Sequence, residues 1–221
     1  MILEEFSLHL RSNASPSRAK EMGAYMRDKF SYLGLSSTQR RDVLAPFKAQ
    51  LKELSYHDFL NLICALWEEP EREFQYAAID LWKWRKNKVQ EDDIPLIETF
   101  IATKSWWDTV DLIASNIAGQ YAMRYPNSFE PYRKKWIQSD NLWLNRSAMI
   151  YQLKHKDKLD EAKLTESILP HLNVNDQFIQ KAIGWSLRQH SRVNPEWVME
   201  FVQLHNIQGL AQREALRLIK D

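Results

Sequence analysis

The sequence predicts an all-α protein. Glycine and proline are scarce, no stretch alternates apolar and polar residues long enough for a strand, and apolar residues recur at helical spacing along the chain. With only 5 glycines and 8 prolines in 221 residues, the chain has few places to turn sharply and runs from helix to helix. A hydrophobic content of 44% is enough to build a core and argues against disorder. No apolar run approaches the roughly 18 residues of a membrane span. The opening MILEEFSLHL is acidic where a secretory signal would be basic, so an untargeted cytoplasmic protein is expected. Cys64 is the single cysteine, which excludes an internal disulfide; in LICALW it reads as a buried thiol of a reducing compartment. Without a cluster of Cys and His there is no zinc motif, and nothing points to a metal or organic cofactor.

Taken in order, the helices announce their ends. Ser15 before Pro16 opens SPSRAKEMGAYM, and Asn194 before Pro195 opens NPEWVMEFV; each pair offers a side-chain cap and a preset first turn. FSYLGL is expected to close the helix that carries Tyr25, with Gly34 as its left-handed stop. Links such as VNDQ and IQSDN are short, so residues 1–221 read as one domain. QYAAIDLWK, DTVDLIASN, NRSAMIYQL, QKAIGWSLR and QREALRLIK align as five helices starting at Gln75, Asp108, Asn145, Gln180 and Gln212. A second helix accompanies each. Helix pairs at this period are the signature of a HEAT-like α-solenoid, whose equivalent helices would line one concave face; an irregular helical bundle is the alternative.

Projecting the helices sorts the special residues. In WWDTVDLIASNIAGQY, Trp106, Val110, Ile113 and Ile117 share an apolar stripe, so Trp106 reads as core. Trp107 lies off that stripe with Asp111, Ala114 and Ala118, which sets an aromatic and a carboxylate one turn apart beside two small side chains. The plainer reading is a rim tryptophan beside a solvated acid. Asp108 reads as a first-turn residue favoured by the helix dipole. In NLWLNRSAMIYQL, Trp143, Arg146, Ile150 and Leu153 recur together, placing a guanidinium in an apolar sector. An unpaired charge there would cost several kcal/mol, so a carboxylate or phosphate must lie within reach. A purely structural salt bridge satisfies that demand as well as a functional one.

Charge is unevenly distributed although the net is only +1: residues 67 to 100 carry 5 basic and 9 acidic side chains, residues 133 to 221 carry 14 and 10. Lys181, Trp185, Arg188 and Arg192 recur along one ridge of QKAIGWSLRQHSR, and Arg213, Arg217 and Lys220 repeat the arrangement in the last helix. With Lys154, Lys156 and Lys158, these bases would supply spaced cations for the phosphates of a duplex.

SWWDTVD, DNLWLNRSAMIYQLKHK, FIQKAIGWSLR and LWEEPEREFQYAA closely resemble the AlkD-type DNA alkylation repair proteins, HEAT-repeat DNA glycosylases that remove alkylated purines. The resemblance runs along essentially the whole chain. It implies that Asp111 is the essential carboxylate, Arg146 its partner, Trp107 and Trp185 the catalytic tryptophans, and Tyr25 a residue lining the same cleft. Thr38, in LSSTQRR, stands where relatives often carry proline, which bears on a helix start. The function implied is hydrolytic release of cationic alkylpurines from duplex DNA by a monomer, without a base pocket and without a lyase step. The competing reading is a non-catalytic scaffold that binds DNA or protein through the same bases; Asp111 and Arg146 together with both tryptophans favour the enzyme.

Overall fold

The computed structural model describes residues 2–219, and among them there are helices and turns but no strand, only an isolated bridge between Ser31 and Glu71. The all-α expectation holds. Contacts divide the chain into two compact units, residues 1–88 and 89–221.

The N-terminal unit comprises α1 (Ile2–Ser12), α2 (Pro16–Tyr25), α3 (Ser37–Leu44), α4 (Lys48–Glu53), α5 (Tyr56–Glu68) and α6 (Arg72–Trp84). Its core gathers Phe6, Leu10, Leu44, Phe59, Ile63, Leu66, Phe74 and Ala78, all at 1% exposure or less. Helix α3 starts despite Thr38, because Ser36 and Gln39 form a reciprocal capping box. Two expectations about α2 fail. The Ser15 side chain makes no cap, and α2 ends at Tyr25, well before Gly34. The exit is made by Arg27 and Asp28, both left-handed (φ 58° and 52°), with the Asp28 N–H returning to the Gly23 carbonyl at 2.8 Å. Gly34 is left-handed too (φ 86°), but for close approach: a Cβ there would stand 2.2 Å from the Ser15 carbonyl oxygen. The Leu33–Leu35 segment is instead fastened by Glu73, whose carboxylate accepts the N–H groups of Leu33, Gly34 and Leu35 at 2.9, 2.9 and 3.1 Å. Cys64 is half-buried, not buried, and partial burial raises its thiol pKa, with Glu68 adding to the push.

The C-terminal unit comprises α7 (Ile94–Ala102), α8 (Trp107–Leu112), a π-helical turn (Ile113–Ala118), α9 (Gly119–Arg124), α10 (Pro126–Ile137), α11 (Leu142–Ile150), α12 (Glu161–Ile168), α13 (Gln177–His190), α14 (Pro195–Leu204) and α15 (Gly209–Ala215). Asn194 caps α14 as expected, its side chain accepting the Trp197 N–H at 3.2 Å. Inside this unit the aligned helices do lie beside one another: α8 packs on α11, α11 on α13, and α13 on α15. Gly184 permits the last of these contacts, since a Cβ there would meet Glu214 Cβ at 2.5 Å and the Ala211 carbonyl oxygen at 2.8 Å. The shared core includes Ala114, Met149, Ile150, Ile179, Ile183, Leu187, Val198 and Ala211.

The repeat also shows in its hydrogen bonds. The fourth residue of α6, α11 and α13, where the aligned segments begin, is an amide that reaches back to carbonyls at or just beyond the end of the preceding helical segment. Gln75 Nε2 donates to Trp67 and Glu69 at 3.0 and 2.8 Å, Asn145 Nδ2 to Trp136 and Ser139 at 2.8 Å each, and Gln180 Nε2 to Leu172 and Val174 at 3.2 and 2.9 Å. The acceptors sit eight or nine and six residues back in all three, so one joint recurs at three of the helix ends whose orphaned carbonyls need a donor.

Candidate active site

Helix α8 begins at an extended Trp106 (φ −157°, ψ 161°) whose ring drops into the core. It meets Trp143 at 5.5 Å and Phe178 at 5.1 Å between centroids, and those two rings are 5.1 Å apart. Three aromatics thus lock the starts of α8, α11 and α13 together, each contact contributing on the order of 0.5–1.5 kcal/mol beyond burial. The stripe read from the sequence is correct: Trp106 is 9% exposed, and Val110, Ile113 and Ile117 are fully buried.

Upon this platform Arg146 grips Asp111 with two parallel bonds, Nε to Oδ1 at 2.7 Å and Nη2 to Oδ2 at 2.8 Å. Its remaining Nη1 donates to the Phe178 carbonyl on α13. The anion that the apolar sector around Arg146 demanded is therefore Asp111, and the guanidinium is spent on fixed acceptors. The two side chains differ in access: Arg146 is 5% exposed and Asp111 16%. Burial raises the Asp111 pKa above the ordinary carboxylate value, Arg146 pulls it back, and the neighbouring charge of Asp108 adds to the rise. Asp108 is in the first turn, as expected, and is itself buried.

Immediately after Asp111 the helix widens into the π turn. The displaced carbonyls are met by side chains: Ser115 Oγ donates to the Asp111 carbonyl at 2.6 Å, and Asn116 Nδ2 to that of Leu112 at 2.8 Å. Lys154 Nζ in turn donates to Asn116 Oδ1. The wider turn overturns one expectation, because Ala114 and Ala118 are not open small residues beside Asp111; both are fully buried.

Trp107, half-buried, sits one turn before Asp111 on α8. Trp185 is half-buried against the C-terminal core and lies about two turns along α13 from Phe178, on the same helical face. Tyr25 ends α2 in the N-terminal unit and is 72% exposed. Among the bases, Lys154, Lys156, Lys158, Lys181, Arg192, Arg213 and Arg217 are exposed. Arg188 is not a free cation of the ridge, because its Nη1 donates to the Glu214 carboxylate of α15. Lys220 lies outside the described residues. Sequence reading missed the Phe178 carbonyl as third acceptor for Arg146, and a backbone acceptor leaves no mark in residue types. Among the described residues no group of three or more His, Cys, Asp or Glu side chains is placed to hold a metal ion, and no helix is long and apolar enough to cross a membrane.

Aligned helices side by side in the C-terminal unit, with a guanidinium-held acid one turn from an indole, define an all-α protein whose candidate site centres on one carboxylate. The chain belongs to the DNA alkylation repair enzyme family, whose model matches residues 6–219. A solved structure described as a predicted DNA alkylation repair enzyme from Enterococcus faecalis is similar at 29% identity and a TM-score of 0.88, over 94% of this chain and 97% of that one. No curated protein matches. The family places the protein in repair of alkylated DNA, with DNA as what it acts on.

Proposed function

We propose that the protein is a monofunctional DNA glycosylase that hydrolyses the N-glycosidic bond of cationic alkylpurines such as 3-methyladenine and 7-methylguanine in duplex DNA. The observation that carries this reading is the Asp111–Arg146 pair: a carboxylate held at both oxygens by a buried guanidinium, yet still partly open, one turn from an indole.

Alkylation of a purine ring nitrogen gives the base a formal positive charge and makes it a good leaving group. Indole faces attract cations by about 0.5–2 kcal/mol depending on desolvation, so Trp107 and Trp185 favour the charged lesion over a neutral base. When the glycosidic bond breaks, its electron pair passes to the base nitrogen and neutralises it, while the deoxyribose becomes electron-poor. Asp111 stabilises that developing oxocarbenium charge and orients the water that attacks the anomeric carbon. Each of its oxygens has a lone pair left after Arg146 is satisfied, so it can accept from water without releasing its partner. Arg146 fixes the carboxylate and favours its ionised form. The exposed bases Lys154, Lys156, Lys181, Arg192, Arg213 and Arg217 would hold the backbone as the protein works as a cytoplasmic monomer on its own stretch of duplex. HEAT-like repeats describe the helix pairs best.

The test is release of 7-methylguanine from methylated duplex DNA by the wild type and by Asp111→Asn. Release by the wild type and its loss in the variant are expected. Equal release by both would remove Asp111 from the chemistry; no release by either, with duplex binding retained, would leave a scaffold.

A further inference from the structure

The N-terminal unit contains a cavity whose chemistry the proposed reaction does not use. About 370 Å³ in volume, it is lined by Lys48, Leu51, Lys52, Phe59, Leu81, Trp84 and Arg85. Leu51, Phe59 and Leu81 are buried and form an apolar floor, while Trp84 is 44% exposed and forms a wall. Its charged lining residues, Lys48, Lys52 and Arg85, are all cationic and no carboxylate lines it. Lys48 Nζ lies 5.0 Å from the Trp84 ring centroid, and the Arg85 guanidinium lies 4.6 Å from that of Phe59. Arg85 is anchored on the carbonyls of Leu51, Lys52 and Leu54 at the end of α4, so one cation is fixed, while both lysines are exposed.

We propose that this cavity is a binding site for a small amphipathic anion: an aromatic or aliphatic ring body carrying a single carboxylate, sulfonate or phosphate head. The volume lies toward the low end of the roughly 300–1,000 Å³ of ligand pockets. Aliphatic and aromatic side chains at the floor accept an apolar body, and the two lysines at the mouth meet the head, with the fixed charge of Arg85 beside them. The floor argues against a nucleotide. Its side chains carry no donor or acceptor for a base edge, and Arg85 already engages the nearest helix-end carbonyls, so a buried purine would lose hydrogen bonds to water without replacement.

Isothermal titration of the full chain with naphthalene-2-sulfonate, with the neutral naphthalene-2-sulfonamide and with dAMP tests the assignment. Saturable one-to-one binding of the sulfonate is expected, with the sulfonamide and dAMP at least about tenfold weaker, a difference of about 1.4 kcal/mol. The double variant Lys48→Glu/Lys52→Glu, both positions being exposed, should keep the wild-type melting midpoint and 7-methylguanine release while losing at least about tenfold in sulfonate affinity. Failure of the sulfonate to bind, equal binding of the sulfonamide, or unchanged affinity in the double variant would overturn the assignment, and none of these outcomes bears on Asp111.

Discussion

Each unit buries a carboxylate on one of the aligned helices, and the two are put to different ends. Glu73 in the N-terminal unit is completely enclosed, and three backbone N–H groups occupy its oxygens. Asp111 in the C-terminal unit is held from one side by a single guanidinium and keeps 16% of its surface. A carboxylate presents about four lone-pair sites, and what matters is how many are left and whether solvent or substrate can reach them. Glu73 is a clasp for residues 33–35, whereas Asp111 is a presented acid.

The contrast breaks most visibly at the acids themselves. Asp111→Asn should lower 7-methylguanine release by about 10²–10³-fold, the scale of removing one group that stabilises developing charge. Glu73→Ala should leave release by the folded fraction unchanged and cost more than about 3 kcal/mol in denaturant unfolding, since three buried donors lose their acceptor. A matching loss of rate in Glu73→Ala, measured on folded protein, would erase the distinction.

Next in size comes Arg146→Ala, which strands a buried acid. A loss of about 3–5 kcal/mol in stability is expected by chemical denaturation, together with reduced release. A variant as stable as the wild type would show that Asp111 is better solvated than the geometry indicates.

The pH profile sharpens the same point. Burial raises the Asp111 pKa, and the proposed reaction needs the ionised form, so lowering pH through that raised value should remove activity. The acid limb of kcat/KM should therefore inflect above the ordinary aspartate value of 3.8. An inflection at or below it would mean that Arg146 outweighs burial.

Smallest are the effects of the cations. Lys181→Ala and Arg213→Ala should each weaken duplex binding across sequences and reduce the salt slope by about one. Arg188→Ala should change that slope less, because Glu214 already balances its charge. Equal slopes for all three would detach Arg188 from Glu214 in solution.

Much of this was legible from residue types. Arg146 in an apolar sector required an anion, and a single helical projection put Trp107 and Asp111 one turn apart. The row beginning Gln75, Asn145 and Gln180 marked a repeat before any hydrogen bond was known, and those amides proved to be the joints. What stayed hidden depended on backbone or on distant chain. The π turn at Ile113–Ala118 breaks the 100° step on which the projection of Ala114 and Ala118 relied. Glu214 lies 26 residues beyond Arg188, on another helix, so their pairing has no local trace. The exit from α2 uses left-handed Arg27 and Asp28, residue types that seldom advertise that conformation.

The back-reaching amides carry an evolutionary consequence. Because these three couplings are each specified by one residue and by carbonyls at nearly the same offset, a duplicated helix pair of this kind brings its own connector and meets a ready-made socket. Such a chain can gain or lose a segment by copying without a new interface having to be invented.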